Sequence, residues 1–220
     1  MAATHRTRKG PPHLMARRQP VQERARKTVD LILETAAALI DEVGVEAFNT
    51  NALAARAAVR VRTVYRYFPN KLAVLSGVAE RLALEWDEWF DGFGALADRR
   101  RDWRELWTGY VDTFIAGIRR VSGGLAVRRA MRALPELQAI DRRDNQRLAR
   151  QLASALARRG VDVPHARLTT MARVLIETAV AVLDLALFES SAQSRTLIEE
   201  LKQMQLAYLD ALLDRPARRR

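Results

Sequence analysis

From Thr50 to Lys71 the chain reads Thr-Asn-Ala-Leu-Ala-Ala-Arg-Ala-Ala-Val-Arg-Val-Arg-Thr-Val-Tyr-Arg-Tyr-Phe-Pro-Asn-Lys, and no other stretch limits the fold so tightly. It divides into two short helical runs around a tight turn, closed by an aromatic cluster and by a basic residue at the start of a further helix. This is the pattern of a helix-turn-helix, in which one helix enters the major groove of a duplex and its partner braces it against the backbone. Between Ala47 and Ala79 stand five basic residues (Arg56, Arg60, Arg62, Arg66, Lys71) and no acidic one. An acid on such a surface would oppose the charge-driven part of phosphate binding. The expectation is a protein that binds DNA.

The flanking sequence supplies the helices that such a motif needs. Val29, Leu33, Ala36, Ile40 and Val43 fall on one face of a helix expected from about Gln22 to Val43, and Gly44 follows where a helix end favours a left-handed residue. Thr50 is the expected N-cap of the second helix, which ends near Ala57. The recognition helix is expected over Val61 to Phe68, with Val64 and Phe68 turned inward against Leu53, Leu72 and Leu75. Pro69-Asn70 breaks the chain before a long helix that starts at Lys71 and runs to Phe90 or Phe93, near Gly92 and Gly94. Further helices are expected near Asp102 to Val121, Leu125 to Leu134, Leu137 to Arg159, His165 to Ser190 and Arg195 to Leu213. No segment alternates as a strand does. The fold class is all-α, with about nine helices.

Composition narrows the chemistry. Of the 37 Lys and Arg residues all but Lys9, Lys27, Lys71 and Lys202 are arginine, so the net charge of +11 reflects composition as much as function, and its distribution is the better guide. The absence of cysteine excludes disulfides, Cys-ligated zinc and thiol catalysis. His5, His13 and His165 are scattered, and no metal site is expected. Neither a phosphate-cradling glycine loop nor a nucleophile–base pair is present, so neither an enzyme nor a cofactor is expected. No run of about 18 apolar residues suits a membrane span, and Gly10-Pro11-Pro12-His13 interrupts any leader-like core; a cytoplasmic location is expected. Residues 1–21 read as a disordered basic arm, either a solvated tail or an arm that adds phosphate or minor-groove contacts. A basic tail, 215–220, ends the chain.

The stretch from Leu31 to Leu75 resembles the N-terminal domain of TetR-type transcriptional regulators. The matching features are Ala36-Ala37, Leu39, Glu42-Val43-Gly44, Phe48, Thr50, Leu53-Ala54, Ala57, Val59, Thr63-Val64-Tyr65, Tyr67-Phe68 and Asn70-Lys71-Leu72. The resemblance implies a three-helix DNA-binding domain over 22–75, with the fourth helix continuing as a connector to about 93. It also implies a helical effector-binding and dimerisation domain over 76–214. Three positions depart from the family pattern: Ala58 replaces the turn glycine, Arg60 an N-capping Ser or Thr, and Arg62 a small residue. With positive φ at 58, alanine there costs on the order of 1 kcal/mol.

By this resemblance and the helix geometry, Thr50, Tyr67 and Lys71 are candidates for phosphate contact, and Arg60, Val61, Arg62, Thr63 and Arg66 for base edges. The arginines at the start of the recognition helix suit either guanine or phosphate. Tyr65 is expected to pack its ring in the three-helix core with its hydroxyl toward a phosphate. For the effector pocket the candidates are the aromatic stripes Trp86, Trp89, Phe90 and Trp103, Trp107, Tyr110, Phe114, together with Met131 and the acids Glu177 and Asp184. Each aromatic can equally be plain core, and the two acids, seven residues apart on one helix face, can equally be paired structurally, Arg173 being one partner. The implied function is a homodimeric, ligand-responsive regulator, most often a repressor in this family. It would bind a palindromic operator, be released by a small apolar or amphipathic effector, and dimerise through its last two helices. The alternative is a ligand-independent architectural DNA-binding protein.

Overall fold

The computed structural model describes residues 23–89 and 93–213 (for 84–89 and 136 the backbone alone). Among the described residues all extended regular structure is helical: α1 Glu23–Ala47, α2 Thr50–Arg56, α3 Val61–Tyr67, α4 Lys71–Trp89, α5 Trp103–Arg120, α6 Gly124–Ala133, α7 Pro135–Arg159, α8 His165–Ala186 and α9 Ser191–Leu213. A short 3-10 turn, Gly94–Ala97, precedes α5. The basic arm and the C-terminal tail lie outside the described residues. The chain forms two compact units, 1–82 with 121–140, and 83–120 with 141–220.

The first unit is built on α1. The helix is interrupted at Gly44, whose φ of +75° and ψ of 169° swing Val45 and Glu46 out of line. Its face of Ile32, Ala36 and Ile40 is fully buried and meets Phe48, Leu53, Val64, Phe68 and Leu75. Of the face expected from the periodicity, Leu33, Ala36 and Ile40 are buried and Val29 is half-buried, but Val43, just before the break at Gly44, is 43% exposed. Truncating a core side chain such as Leu53 to alanine costs roughly 2–5 kcal/mol.

A further helix joins this core. The domain boundary expected at 75 puts everything after it in the effector domain, yet α6 and the first turns of α7 pack on α1, with Val127, Ala130, Met131, Leu137 and Ile140 in the same cluster as Ile32 and Ile40. Two local contacts hold α6 there. The Gly123 N–H donates to Asp41 Oδ2 at 2.5 Å. Gly123 itself, at φ +75°, approaches α1 so closely that a Cβ would stand 2.9 Å from the Ala37 carbonyl oxygen.

The second unit packs α5 with α7, α8 and α9 around Trp103, Trp107, Leu152, Leu156 and Leu175. Its entry loop is tied by Arg159, whose guanidinium donates to the carbonyls of Leu96 (3.0 Å), Asp98 (2.8 Å) and Arg101 (2.9 Å). Burial lowers the Arg159 pKa, while Asp102 and Asp98 work against that shift. Among the described residues no helix is long and apolar enough to cross a membrane, and no cluster of metal-ligating side chains occurs.

Candidate nucleic-acid interface

The turn between α2 and α3 has a specific hydrogen-bond pattern. Val59 N–H bonds to the Ala54 carbonyl at 3.0 Å and Ala58 N–H to that of Ala55 at 3.2 Å, the paired bonds of a Schellman ending. Ala58 occupies its left-handed position with φ +51°. The glycine replacement noted in the sequence therefore does sit at a strained angle. Arg60, at the N-cap of α3, makes no side-chain cap, and only its carbonyl accepts from Thr63 N–H at 2.7 Å.

The cap of α2 differs from the expectation. Asn49, not Thr50, is the N-cap: its Oδ1 accepts from Ala52 N–H at 2.9 Å. Thr50 is the first helical residue, and its hydroxyl shares a hydrogen bond of 3.0 Å with the Tyr65 hydroxyl. The start of α2 is thereby fastened to the side of α3. A similar cap starts α4, where Asn70 Oδ1 accepts from Ala73 N–H at 2.8 Å.

The two tyrosines of α3 exchange the places expected for them. In so short a helix the inward positions are 64, 67 and 68, spaced by three and four. Tyr67 is accordingly buried, with the Arg66 guanidinium 5.7 Å from its ring centroid, while Tyr65 is 41% exposed. Arg60, Val61, Arg62, Tyr65 and Arg66 form one exposed face, with Thr63 half-buried beside it. Lys71 begins α4, its ammonium donating to the Glu46 carbonyl at 3.2 Å and standing 5.9 Å from the Phe48 ring centroid. On α2, Arg56 is drawn aside into a bidentate pair with Glu42. That pair lowers the Glu42 pKa and raises that of Arg56, chiefly through the hydrogen bonds.

The second unit holds an apolar cavity of about 50 Å³. Trp107, Tyr110 and Phe114 of α5 line it, together with Phe93, Ile176, Val180 and Gln205. Phe93 stacks on Trp107 with centroids 6.1 Å apart and meets Tyr110 edge-on at 5.0 Å. Its φ of +67° is left-handed, an outlier for a bulky side chain. Gln205 is a buried polar group of the cavity. It accepts from Trp107 Nε1 (3.1 Å) and donates to the Leu175 carbonyl (2.8 Å) and the Thr178 hydroxyl (3.2 Å). The available signal for Gln205 was one polar residue on the buried Leu201–Leu209 stripe of α9.

Other candidates fall elsewhere. Met131 belongs to the core of the first unit, because Gly123 and Asp41 hold α6 on α1. Trp103 is buried beside the cavity without lining it, the Arg104 guanidinium 4.5 Å from its ring centroid. Glu177 accepts from Arg173 Nε (2.6 Å) and Asn145 Nδ2 (3.0 Å), and Asp184 is buried; neither lines the cavity. The side chains of Trp86, Trp89 and Phe90 lie outside the described residues.

Known proteins resemble the chain along most of its length. Residues 32–78 match the family model for bacterial regulatory proteins, tetR family, and residues 102–209 match that for the tetracyclin repressor-like C-terminal domain. A TetR-family transcriptional regulator from Streptomyces coelicolor superposes with a TM-score of 0.62 at 29% identity, covering 84% of this chain and 99% of that one. A putative TetR-family regulator from Mesorhizobium loti MAFF303099 gives 0.62 at 16% identity over 85% and 98%. One from Pseudomonas syringae pv. tomato str. DC3000 gives 0.52 at 20% identity over 86% and 98%. No curated protein matches.

Proposed function

The chain belongs to the TetR family of transcriptional regulators, and on that premise we propose that it is a homodimeric repressor released from a palindromic operator by a small, largely apolar effector. The single observation that carries the DNA half is the exposed face of Arg60, Arg62, Tyr65 and Arg66, in a segment without any acid. In this reading α3 lies in the major groove, with Arg60, Arg62 and Arg66 toward base edges. The α2 start and Lys71 grip phosphates on the flank, and the Thr50–Tyr65 bond keeps the two helices in register.

Dimerisation is supported by an uncovered stripe. On α8, Val174, Thr178, Ala181 and Leu185 step by four and three along one face, Phe188 follows just past the helix end, and all except the half-buried Thr178 are exposed; Met204, Tyr208 and Ala211 do the same on α9. Two such faces from two copies make a four-helix bundle. The effector half rests on the cavity beside Trp107. At about 50 Å³ it has room for one or two waters, far below the roughly 300 Å³ at which drug-sized pockets begin. An effector therefore selects a wider conformer, and a shift of Phe93 out of its left-handed angle relieves strain as the cavity opens.

The test is binding to the DNA upstream of the chain's own gene and to scrambled DNA of equal length, across a salt series. Tight binding to the native fragment alone, with a protected palindrome, is the expected result. Equal binding to both fragments with a steep salt slope overturns it in favour of an architectural role.

A further inference from the structure

The first unit contains a cavity of its own, separate from the apolar one beside Trp107. It measures about 250 Å³ and exists because α1 breaks at Gly44. The bend forms its roof, from Gly44 to Glu46; Lys71, Leu72 and Leu75 of α4 make one wall, and α6 makes the other. The α6 wall is recessed because Ala126, Ala130 and Ala133 face the space. Val45, Leu72, Leu75 and Leu134 complete an apolar lining, and charge is confined to Lys71, Arg129 and Glu46. The described partners of Lys71 are neutral, a carbonyl and an aromatic ring, so its ammonium has unspent attraction for an anion.

The geometry points to a binding site for a small amphipathic carboxylate, its hydrocarbon body among Leu72, Leu75 and the α6 alanines and its carboxylate at Lys71 and Arg129. At about 30 Å³ per water-sized group the cavity takes roughly eight such groups, the size of a six-carbon acid. The Lys71 ammonium, whose described partners are neutral, favours the anion over the corresponding amine, and charge-assisted bonds favour it over the alcohol. A ligand that engages the Lys71 ammonium removes it from a phosphate, so occupancy weakens DNA binding from within the DNA-reading unit. That consequence, unlike the site itself, rests on the phosphate role proposed above for Lys71.

The experiment is a titration of the full chain, methyl-labelled at alanine, with hexanoate, hexanol and hexylamine, followed by NMR. Hexanoate is expected to shift the Ala126, Ala130 and Ala133 methyls saturably while Ala179, in the wall of the other cavity, stays still. Ala133→Phe fills the mouth from an exposed position and is expected to weaken hexanoate binding at least tenfold. Arg129→Gln is expected to weaken it about tenfold while leaving hexanol unchanged, which keeps the test decisive if the larger substitution fails to fold. Shifts at Ala179 instead, equal binding of hexanol and hexanoate, or no saturation overturn the site. Saturation with unchanged DNA affinity retains the site and overturns the phosphate role of Lys71.

Discussion

Replacing Ala58 by glycine should stabilise the protein, although it removes a methyl group and adds no contact. Ala58 is exposed, so its side chain contributes no packing that could be lost, and its φ of +51° lies where a Cβ meets the following carbonyl. That strain is roughly 1–2 kcal/mol for an L-residue. Glycine removes it but enlarges the entropy of the unfolded chain, which returns about 0.4–1 kcal/mol. The net gain is about 0.5–1 kcal/mol. In urea, with a slope of about 2 kcal/mol/M, the midpoint of the unit's transition rises by roughly 0.3–0.5 M. Ala55→Gly, three residues earlier and also exposed but with a helical backbone, is the control. It should lower the midpoint by a similar amount, since glycine in a helix costs roughly 0.5–1 kcal/mol relative to alanine. Opposite signs at two exposed alanines of one turn can arise only from the backbone. A midpoint that falls in both variants would refute the strain argument at Ala58.

Arg62→Ala should cost about 1–3 kcal/mol on operator DNA and relax one position of the site, whereas Lys71→Ala should weaken all sequences alike and reduce the salt slope by about one, both read by fluorescence anisotropy. Leu185→Arg, near the C-terminal end of the exposed α8 stripe, should shift the chain from dimer to monomer in analytical ultracentrifugation. Gln205→Leu leaves the Trp107 Nε1 donor buried without its acceptor and should lower stability by about 1–3 kcal/mol, with a change in tryptophan emission. For Glu42, whose folded pKa is lowered, the stabilisation is present above the ordinary value of 4.5 and is lost as the pH falls below it, through the folded-state value. Glu42→Gln should therefore lower the melting temperature slightly at neutral pH and leave it unchanged well below 4.5.

How far the sequence could be read depended on the distance over which each feature is decided. The helices were legible because their signals are local: periodicity along α1, Gly44 at its break, Pro69-Asn70 before α4. The exposed arginine face was legible too, since a seven-residue helix has few ways to turn once Val64 faces inward. Errors arose where two local readings were equally good. Asn49 and Thr50 are both capping residues, and the choice between them accompanies a hydroxyl bond to Tyr65 on another helix. Tyr65 and Tyr67 are the same residue type, and only the pitch of α3 against the core separates them.

The packing of helix α6 follows the same logic with a larger consequence. Its apolar stripe of Val127, Ala130 and Met131 says that one side is buried and nothing about against what. The answer lies in a carboxylate on α1 and a glycine with no room for a Cβ, residues 41 and 123, whose relation no periodicity reveals. Yet that placement decides the chemistry of the first unit. With α6 on α1, three alanines face the bend at Gly44 and leave a cavity with Lys71 at its edge. Without α6 that wall is missing, and the same lysine stands at an open surface with DNA as its natural anion. On the two proposals made above, a residue that reads in the sequence as a phosphate contact would stand between two anionic partners, and competition between them would give the DNA-reading unit a means of control of its own.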